Sequence, residues 1–269
     1  MSPSTIAPPS RPGLLRWLRP LAFPLLLLAA VEWWARTAGK QSDSLAPPTA
    51  ALQALGRAAV DGSLWQSTAF TLGSAALGLL MGGLLGVALG VALGLAPRAA
   101  RWSALSIELL RPVPSVALIP LAMLVFGFGV RMEVSVVAFA CLWPIMVLTQ
   151  AAVRQVEPQL QEVAYALQLT PWQRFAWIVA PSIVPRLFVA LRLGVAIALV
   201  VAVTVEIAAN PHGMGYAMAI AQQSLDPALM IAWLLWIAVT GFAINAGAEW
   251  LQRHVARRMG AAPLAGGAP

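Results

Sequence analysis

Side chains that could carry out chemistry are few in this sequence. Its one cysteine, Cys141, lies inside an apolar run, so no disulfide can form within the chain. Its one lysine, Lys40, stands in TAGKQS, which does not match the phosphate-binding pattern G-x-x-x-x-G-K-[ST]. His212 has no second metal ligand near it in the sequence. The sequence therefore predicts no catalytic residue, no metal site and no bound cofactor, and any ATP-driven work is expected from a separate protein.

Glu206 stands out because it falls inside an apolar run, where a carboxylate is costly and is by default a functional candidate. Twenty residues separate it from Arg186, which is about 30 Å of helix. If Arg186 marks one membrane interface, Glu206 lies near the other. Two interpretations stay open: a carboxylate that reaches water at the interface, or a residue at the external mouth of a pathway, together with His212 and Met214.

Composition sets the protein class. The 269 residues are 60% hydrophobic and 10% charged, and the mean hydropathy is +0.80. Soluble domains are about 25% charged, so this composition indicates a membrane protein. Runs long enough to cross a bilayer predict an all-α, polytopic protein with about six transmembrane helices, at 18–35, 68–96, 113–128, 134–153, 183–208 and 228–250. The predicted organisation is an N-terminal tail (1–17), a transmembrane domain (18–250) and a C-terminal tail (251–269).

The basic residues predict the orientation. With six spans, 13 of the 17 Lys and Arg residues fall on the side that carries both termini, and such residues concentrate on the cytoplasmic side. Both termini are therefore expected in the cytoplasm. The net charge of +7 is explained by contact with an anionic lipid leaflet and does not require a nucleic-acid partner.

Prolines and glycines mark two of the spans. Pro112, Pro114 and Pro120 should break the third span, and the carbonyl groups freed near Pro114 could face a water-filled path or belong to a kink without one. The second span carries a glycine at every fourth position, which favours close helix packing within the subunit or against a second copy. These glycines are Gly78, Gly82, Gly86, Gly90 and Gly94.

One polar segment interrupts the apolar chain: QEVAYALQLTPWQRFAWIVAP, residues 161–181. An apolar stripe at helical spacing precedes Thr170, which suits a helix N-cap with Pro171 at the first helical position and Gln173 completing a capping box. Pro181 is expected to end the second helix. The pattern predicts two short helices that form an angled elbow. By periodicity alone, the elbow could lie in the lipid headgroups or dock a cytoplasmic partner.

This segment resembles the EAA loop of the permease subunits of bacterial ABC importers. Glu162, Ala164 and Pro181 match that motif in register, while Val163 and Gln168 replace the usual Ala and Gly. The resemblance extends over residues 45–258 through LAPPTAALQAL, GSLWQSTAFTLGSAALG, LRPVPSVALIPLAMLVFGFG, LRLGVAIALVVAVTVEI and GMGYAM. This order of motifs is similar to that of the nitrate, sulfonate and taurine branch.

The resemblance implies a type I ABC importer permease in the bacterial inner membrane. It implies a homodimer, two cytoplasmic ATPase subunits that bind ATP and Mg²⁺, and a periplasmic or lipid-anchored binding protein that delivers a small solute, such as a sulfonate, taurine or nitrate. The coupling residues would be Glu162, Ala164, Leu167, Gln168, Thr170, Trp172 and Arg174.

Two questions stay open at this stage. Gln168 in a left-handed conformation would cost about 1 kcal/mol, so either the turn moves to Thr170 and Pro171 or the angle between the helices differs from that of the family. Ion-coupled secondary transport and a membrane scaffold that docks a cytoplasmic partner are the alternative functions.

Overall fold

A computed structural model describes residue 26, residues 29–37 and residues 46–258. Within these residues the backbone is helical and contains no strand. A short helix, α1 (29–37), precedes α2 (Pro48–Val60). A hydrogen bond from the Thr49 N–H to the Glu32 carboxylate (3.1 Å) joins these two helices.

The rest of the described residues form nine further α-helices. They are α3 (Ser63–Leu95), α4 (Pro97–Leu110), α5 (Ile119–Phe126), α6 (Val130–Arg154), α7 (Pro158–Ala166), α8 (Pro171–Arg174), α9 (Ala180–Ala208), α10 (Met214–Gln223) and α11 (Pro227–Arg258). A 3₁₀ turn, Ser115–Leu118, precedes α5, and a π-helical turn, Phe175–Val179, joins α8 to α9.

Four helical segments are long and apolar enough to cross a membrane: Ser63–Leu95, Val130–Arg154, Pro171–Ala208 and Pro227–Val255. They correspond to the second, fourth, fifth and sixth predicted spans. The third predicted span is not one straight helix, because α4 and the Ser115–Phe126 segment meet at 81° around a break at residues 111–114. Most of the first predicted span lies outside the described residues.

The glycine stripe of α3 fixes the centre of the fold. All five predicted glycines face α6 within the same chain: a Cβ on Gly78 would meet Val137, one on Gly86 would lie 2.8 Å from the Leu142 carbonyl oxygen, and one on Gly94 would lie 2.6 Å from Val153 Cβ. The residue numbers of the contacting pairs increase together along both helices, so α3 and α6 run parallel. Small residues permit this approach of two backbones, and the stripe is an intrachain seam.

α9 packs antiparallel against this pair. Its Gly194 faces Leu79 and Ile145, and a core of buried residues from α3, α5, α6 and α9 surrounds Cys141. α11 runs beside α9, with Arg192 Nη2 3.1 Å from Glu249 Oε2. The end of the bundle that carries α7 and α8 is called the elbow end below. The opposite end, which carries α2 and α10, is called the distal end.

The prediction that Pro181 ends a helix is wrong. The π-helical turn lets the chain pass from α8 into α9 without a break, and the Ala180 N–H bonds to the carbonyl of Phe175, five residues back. Pro181 then follows this turn directly, as the second residue of α9. The second half of the elbow is therefore the beginning of a 38-residue helical segment that reaches the distal end.

Candidate functional site

The elbow turn is closed by backbone hydrogen bonds at the end of α7. The Leu169 N–H bonds to the Ala164 carbonyl (3.0 Å) and the Gln168 N–H bonds to the Tyr165 carbonyl (3.0 Å), which is the pattern of a Schellman motif. Gln168 takes the left-handed position of that motif, with φ +50°. The turn has therefore not moved to Thr170, and Gln168 adopts the conformation that glycine would adopt more easily.

The second half of the elbow begins at Thr170, as predicted. The Gln173 N–H bonds to Thr170 Oγ1 (3.4 Å), and the Thr170 N–H bonds to Gln173 Oε1 (2.9 Å). This confirms the capping box, with Pro171 in the first turn. Local hydrogen bonds thus satisfy free backbone groups at both helix ends that meet in the elbow.

The predicted coupling residues lie on this elbow with different exposures. Glu162, Gln168 and Thr170 are exposed, and Leu167 and Trp172 are 65% and 73% exposed. Ala164, in contrast, is 2% exposed and faces the rest of the chain. The apolar stripe of α7 is therefore divided between an inward alanine and outward larger side chains.

Arg174 contacts the other half of the elbow. Its guanidinium lies 5.3 Å from the centre of the Tyr165 ring, and Nη1 donates to the Tyr165 hydroxyl at 3.4 Å. An arginine over an aromatic ring is an attractive arrangement. This contact spans the turn and ties α8 to α7.

The base of the elbow is seated on the end of α6. Val179 and Ile183 are buried against Ala152, Val153 and Val156. Arg186 Nη1 also donates to Gln155 Oε1 at 2.8 Å, just beyond α6. The root of the elbow is thus packed, while its tip is exposed.

A second polar region lies at the distal end and is buried. We call it the distal polar cluster: Thr71, Ser74, Glu133, Glu206 and Asn210, each no more than 2% exposed. The Ser74 hydroxyl and the Asn210 side-chain amide both donate to the Glu133 carboxylate. These contacts join α3, α6 and the segment that follows α9.

Sequence reasoning missed Glu133. Its predicted span began one residue later, at Val134, which left the acid outside the membrane segment. The sequence does contain one signal, which concerns its partner Ser74. Ser74 lies four residues before Gly78 and so continues the stripe of glycines toward the N-terminus of α3. That spacing places Ser74 on the face that contacts α6, although it does not identify its partner.

Glu206 is also part of this cluster, and of its two interpretations the one in which the carboxylate reaches water is wrong. Its side chain is 1% exposed because α10 folds back over the end of α9. Glu206 Oε2 accepts a hydrogen bond from the Gly215 N–H (2.8 Å), and Thr71 Oγ1 accepts one from the Met214 N–H (2.9 Å). Two side chains from other helices thus cap the first free N–H groups of α10.

The three other predicted pathway residues have different surroundings. Met214 is fully buried in an apolar cluster, so its side chain does not line an opening in this chain, contrary to the prediction. His212 is exposed, and its ring stacks on Phe70 with 5.1 Å between centres. Pro114 lies at the break before the 3₁₀ turn. In the part of the chain that the structure describes, no three His, Cys, Asp or Glu side chains form a metal-binding group.

Family comparison agrees with this arrangement of helices. Residues 82–261 match the family model of the binding-protein-dependent transport system inner membrane component. The chain belongs to this permease family. It is a transmembrane permease subunit of an ABC importer, of the nitrate, sulfonate and taurine branch.

Three curated relatives match this chain over most of its length. The Escherichia coli (strain K12) permease SsuC, named for aliphatic sulfonates, is 31% identical over 88% of this chain and 92% of its own. The riboflavin permease RibX of Chloroflexus aurantiacus is 35% identical over 88% and 90%. The taurine permease TauC of E. coli is 28% identical over 90% and 92%.

Solved structures share the fold of this permease. An amino acid ABC transporter structure has a TM-score of 0.61 at 17% identity, covering 76% of this chain and 97% of that one. An inward-facing MetNI methionine ABC transporter has a TM-score of 0.59 at 18% identity, covering 71% and 94%. The fold is that of a type I ABC importer permease, a multi-pass protein of the inner membrane.

Proposed function

We propose that two copies of this permease form the import pathway for a small organic or inorganic acid, and that two cytoplasmic ATPase subunits drive it. An external binding protein delivers the solute. The observation that carries the proposal is the elbow: an exposed, locally closed turn that continues without a break into the helix that reaches the distal end. ATP and Mg²⁺ bind to the ATPase subunits and not to this chain.

The elbow has the composition of a docking surface. Trp172 and Trp177 are 73% and 66% exposed, and Tyr165 and Leu167 are 69% and 65% exposed. Large aromatic side chains that project from a structured turn are typical anchors at protein interfaces. Glu162 adds a charge beside them. In this proposal the aromatic anchors enter a groove of the ATPase, and Glu162 pairs with a basic residue there.

The continuity of α8 and α9 supports transmission of movement. A displacement of the elbow must move α9, because the π-helical turn contains no break and Val179 and Ile183 are packed. α9 carries Glu206, which holds the N-terminus of α10. Closure of the ATPase pair would therefore shift the distal end of the permease as well as the elbow.

The charge distribution supports a cytoplasmic elbow end. Arginines cluster at this end, and the positive-inside rule places such clusters in the cytoplasm. They include Arg98 and Arg101 on α4, Arg154 at the end of α6, and Arg174, Arg186, Arg253 and Arg257. The distal end then faces the binding protein.

The break in the third predicted span supports a homodimer of the permease. α5 exposes Leu121, Leu124 and Val125 at 59%, 83% and 63%. Next to it the backbone is irregular at residues 111–114, and irregular backbone at membrane depth requires cover by protein or a water-filled cavity. A homodimer in which α5 faces its counterpart would provide both the cover and a pathway between the copies.

The relatives support an acidic solute. SsuC and TauC are named for aliphatic sulfonates and taurine, and a nitrate import permease, NrtB of Synechococcus elongatus, is 27% identical over 55% of this chain and 54% of its own. These named solutes are small and carry an acid group. The riboflavin relative widens the range, so the solute itself is to be identified through the companion binding protein.

The docking role can be tested by co-purification from the native host. Glu162→Lys should leave membrane insertion intact and should reduce the ATPase subunit recovered with the tagged permease at least tenfold, because a buried like charge would face the groove. Glu108→Lys, an exposed glutamate on α4, is the matched control. Recovery of the ATPase with Glu162→Lys at the wild-type ratio would disprove the docking role.

The homodimer can be tested by disulfide crosslinking. Because Cys141 is the only cysteine, a Cys141→Ala background allows single cysteines to be placed at will. Leu124→Cys on α5 should give a crosslinked dimer on mild oxidation in membranes. Leu84→Cys, on the outward face of α3 and 64% exposed, should remain monomeric. Equal crosslinking at both positions would contradict the assigned face.

A further inference from the structure

A cavity of about 620 Å³ opens at the distal end, on the side of α10 that faces α2 and α11. Its walls are the end of α2, the first turns of α3, the loop before α10, α10 itself and the start of α11. The volume falls within the range of small-molecule sites, about 300–1,000 Å³. The docking elbow lies at the opposite end of the bundle, so this cavity is separate from the ATPase surface.

Both signs of charge line the cavity. Arg57 lies in the last turn of α2, Asp61 follows that helix, and Asp226 precedes α11. Among the described residues, the Arg57 guanidinium has no hydrogen-bond or ion-pair partner, which leaves its N–H donors available. Arg57 is exposed, so a ligand can reach it from the surface.

The two aspartates each accept one backbone hydrogen bond and keep further acceptor capacity. Asp61 Oδ1 accepts the Ser63 N–H (2.9 Å), and Asp226 Oδ1 accepts the Leu229 N–H (2.9 Å). Hydrogen bonding from Ser63 holds the pKa of Asp61 below its usual value. A carboxylate can accept several hydrogen bonds, so each aspartate can cap its helix and still bind a cation.

The remaining walls carry the polar side chains of Ser63, Gln66 and Ser67 and are otherwise mainly aromatic and apolar. Phe70, stacked on His212, and the rings of Tyr216 and Trp233 line the cavity. Aromatic faces attract ammonium groups and also bury short alkyl chains. The lining therefore combines a guanidinium that can bind an acid, carboxylates that can bind an ammonium group, and aromatic and apolar surface.

We propose that this distal cavity binds a small zwitterion, with its acid group at Arg57 and its ammonium group at Asp61 and Asp226. A purely anionic ligand would meet two carboxylates for one guanidinium, and a purely cationic ligand would leave the guanidinium unpaired. A zwitterion satisfies both. This binding belongs to the permease chain alone and does not require the ATPase.

Two kinds of molecule carry both an acid group and an ammonium group. Both groups occur in a free amino acid or aminosulfonate, and both occur in the phosphoethanolamine headgroup of a membrane lipid. The bilayer used for the experiment therefore decides which source is measured. Nanodiscs made only of phosphatidylglycerol contain no zwitterionic headgroup and leave the cavity to the free ligand.

The test is calorimetric titration of the full-length permease in phosphatidylglycerol nanodiscs. The probes are 3-aminopropanesulfonate and its two single-charge relatives, propanesulfonate and propylamine. We expect 3-aminopropanesulfonate to bind at least ten times more tightly than either relative, because each relative loses one charge-assisted contact. Equal affinity for propanesulfonate, or no binding of any of the three, would overturn the proposal.

Two variants assign the contacts. Arg57→Gln should weaken 3-aminopropanesulfonate binding about tenfold or more, while Arg131→Gln, an exposed arginine outside the cavity lining, should not change it. Asp226→Asn should also weaken binding and should fold normally, since Asn caps helices as well as Asp does. Unchanged affinity in both cavity variants would disprove the assignment even if binding itself is observed.

A final arm identifies the source. Replacement of half of the phosphatidylglycerol by phosphatidylethanolamine should weaken 3-aminopropanesulfonate binding several-fold if the headgroup occupies the cavity. Unchanged affinity assigns the cavity to a free zwitterion. Loss of ATPase docking in Glu162→Lys leaves these measurements unaffected, so the two proposals fail separately.

Discussion

The elbow and the distal polar cluster both interrupt an apolar chain, but different kinds of contact hold them. The hydrogen bonds that close the elbow turn join residues three to five positions apart, such as Thr170 with Gln173 and Ala164 with Leu169. In the distal polar cluster, Ser74 and Asn210 reach Glu133 across 59 and 77 positions, and Thr71 reaches Met214 across 143. The elbow is exposed at its tip, whereas the cluster is buried.

This difference determines what each region can tolerate. An exposed turn with local hydrogen bonds can change its surface residues without affecting the packing of the bundle. A buried network of side chains from several helices cannot, because each lost partner leaves another polar group unsatisfied in an apolar surrounding. Substitutions at the distal end should therefore affect the whole fold, and substitutions at the elbow should affect the elbow alone.

The largest loss of unfolding free energy is expected from Gly213→Ala. Gly213 has φ +95°, and a Cβ there would overlap the Glu206 carboxylate. Strain at that φ and overpacking together should lower the free energy of unfolding in detergent by about 3 kcal/mol. Gly127→Ala is the matched control, since Gly127 has φ +72° and open space around it. Equal losses in the two variants would show that the carboxylate contact is unimportant.

The second-largest loss of unfolding free energy is expected from Glu133→Ala. The change leaves the Ser74 hydroxyl and the Asn210 amide without their shared acceptor and should cost about 2 kcal/mol of unfolding free energy. Glu133→Gln, which keeps an oxygen acceptor, should lose less. At the elbow, Glu162→Ala should change the same quantity by less than about 0.5 kcal/mol. A larger loss for Glu162→Ala than for Glu133→Ala would reverse the comparison of the two regions.

The same difference explains what the sequence could predict. The Thr170–Gln173 capping box and the glycine stripe of α3 are local patterns, so residue type and spacing were sufficient to predict them. The burial of Glu206 was not predictable, because it depends on α10 folding back and on Gly215 meeting the carboxylate. Glu133 was missed for a similar reason: nothing near it in the sequence indicates that Ser74 and Asn210 are its partners.

The continuity of α8 and α9 was also beyond the sequence pattern. Pro181 normally indicates a helix end, and the π-helical turn that accommodates it is defined by a hydrogen bond to the residue five positions back. Val179 and Ile183, at the end of this turn and just beyond it, are buried against residues at the end of α6, which are distant in the sequence. The local sequence pattern contains no information about that contact.

A smaller and strictly local effect is expected from Thr170→Ala. Loss of the cap should destabilise the first turn after Thr170 by about 1 kcal/mol, with little change in the melting temperature of the bundle. Hydrogen exchange of the amides at residues 172–174 should accelerate about fivefold, while amides in α6 should be unaffected. Thr170→Ser keeps the hydroxyl and should exchange like the wild type. A fall in the global melting temperature for Thr170→Ala would show that the elbow is not an independent local unit.

The smallest change in unfolding free energy is expected from Gln168→Gly. Relief of the left-handed conformation gains about 1 kcal/mol, but glycine gives the unfolded chain more freedom and returns about 0.5–1 kcal/mol of that gain. The net change in unfolding free energy should therefore stay below about 0.5 kcal/mol.

Leu225→Gly provides the matched case at the other end. Leu225 has φ +54° after α10, and the Asp226 N–H reaches the Ala221 carbonyl in the same motif that closes α7. Because both side chains are exposed, neither loses packing when it is replaced, and the two substitutions should give the same small change. If Gln168→Gly instead stabilised the isolated permease by more than 1 kcal/mol while Leu225→Gly did not, the elbow would be strained beyond its backbone angle, and its geometry would have to be imposed by contacts other than the local ones.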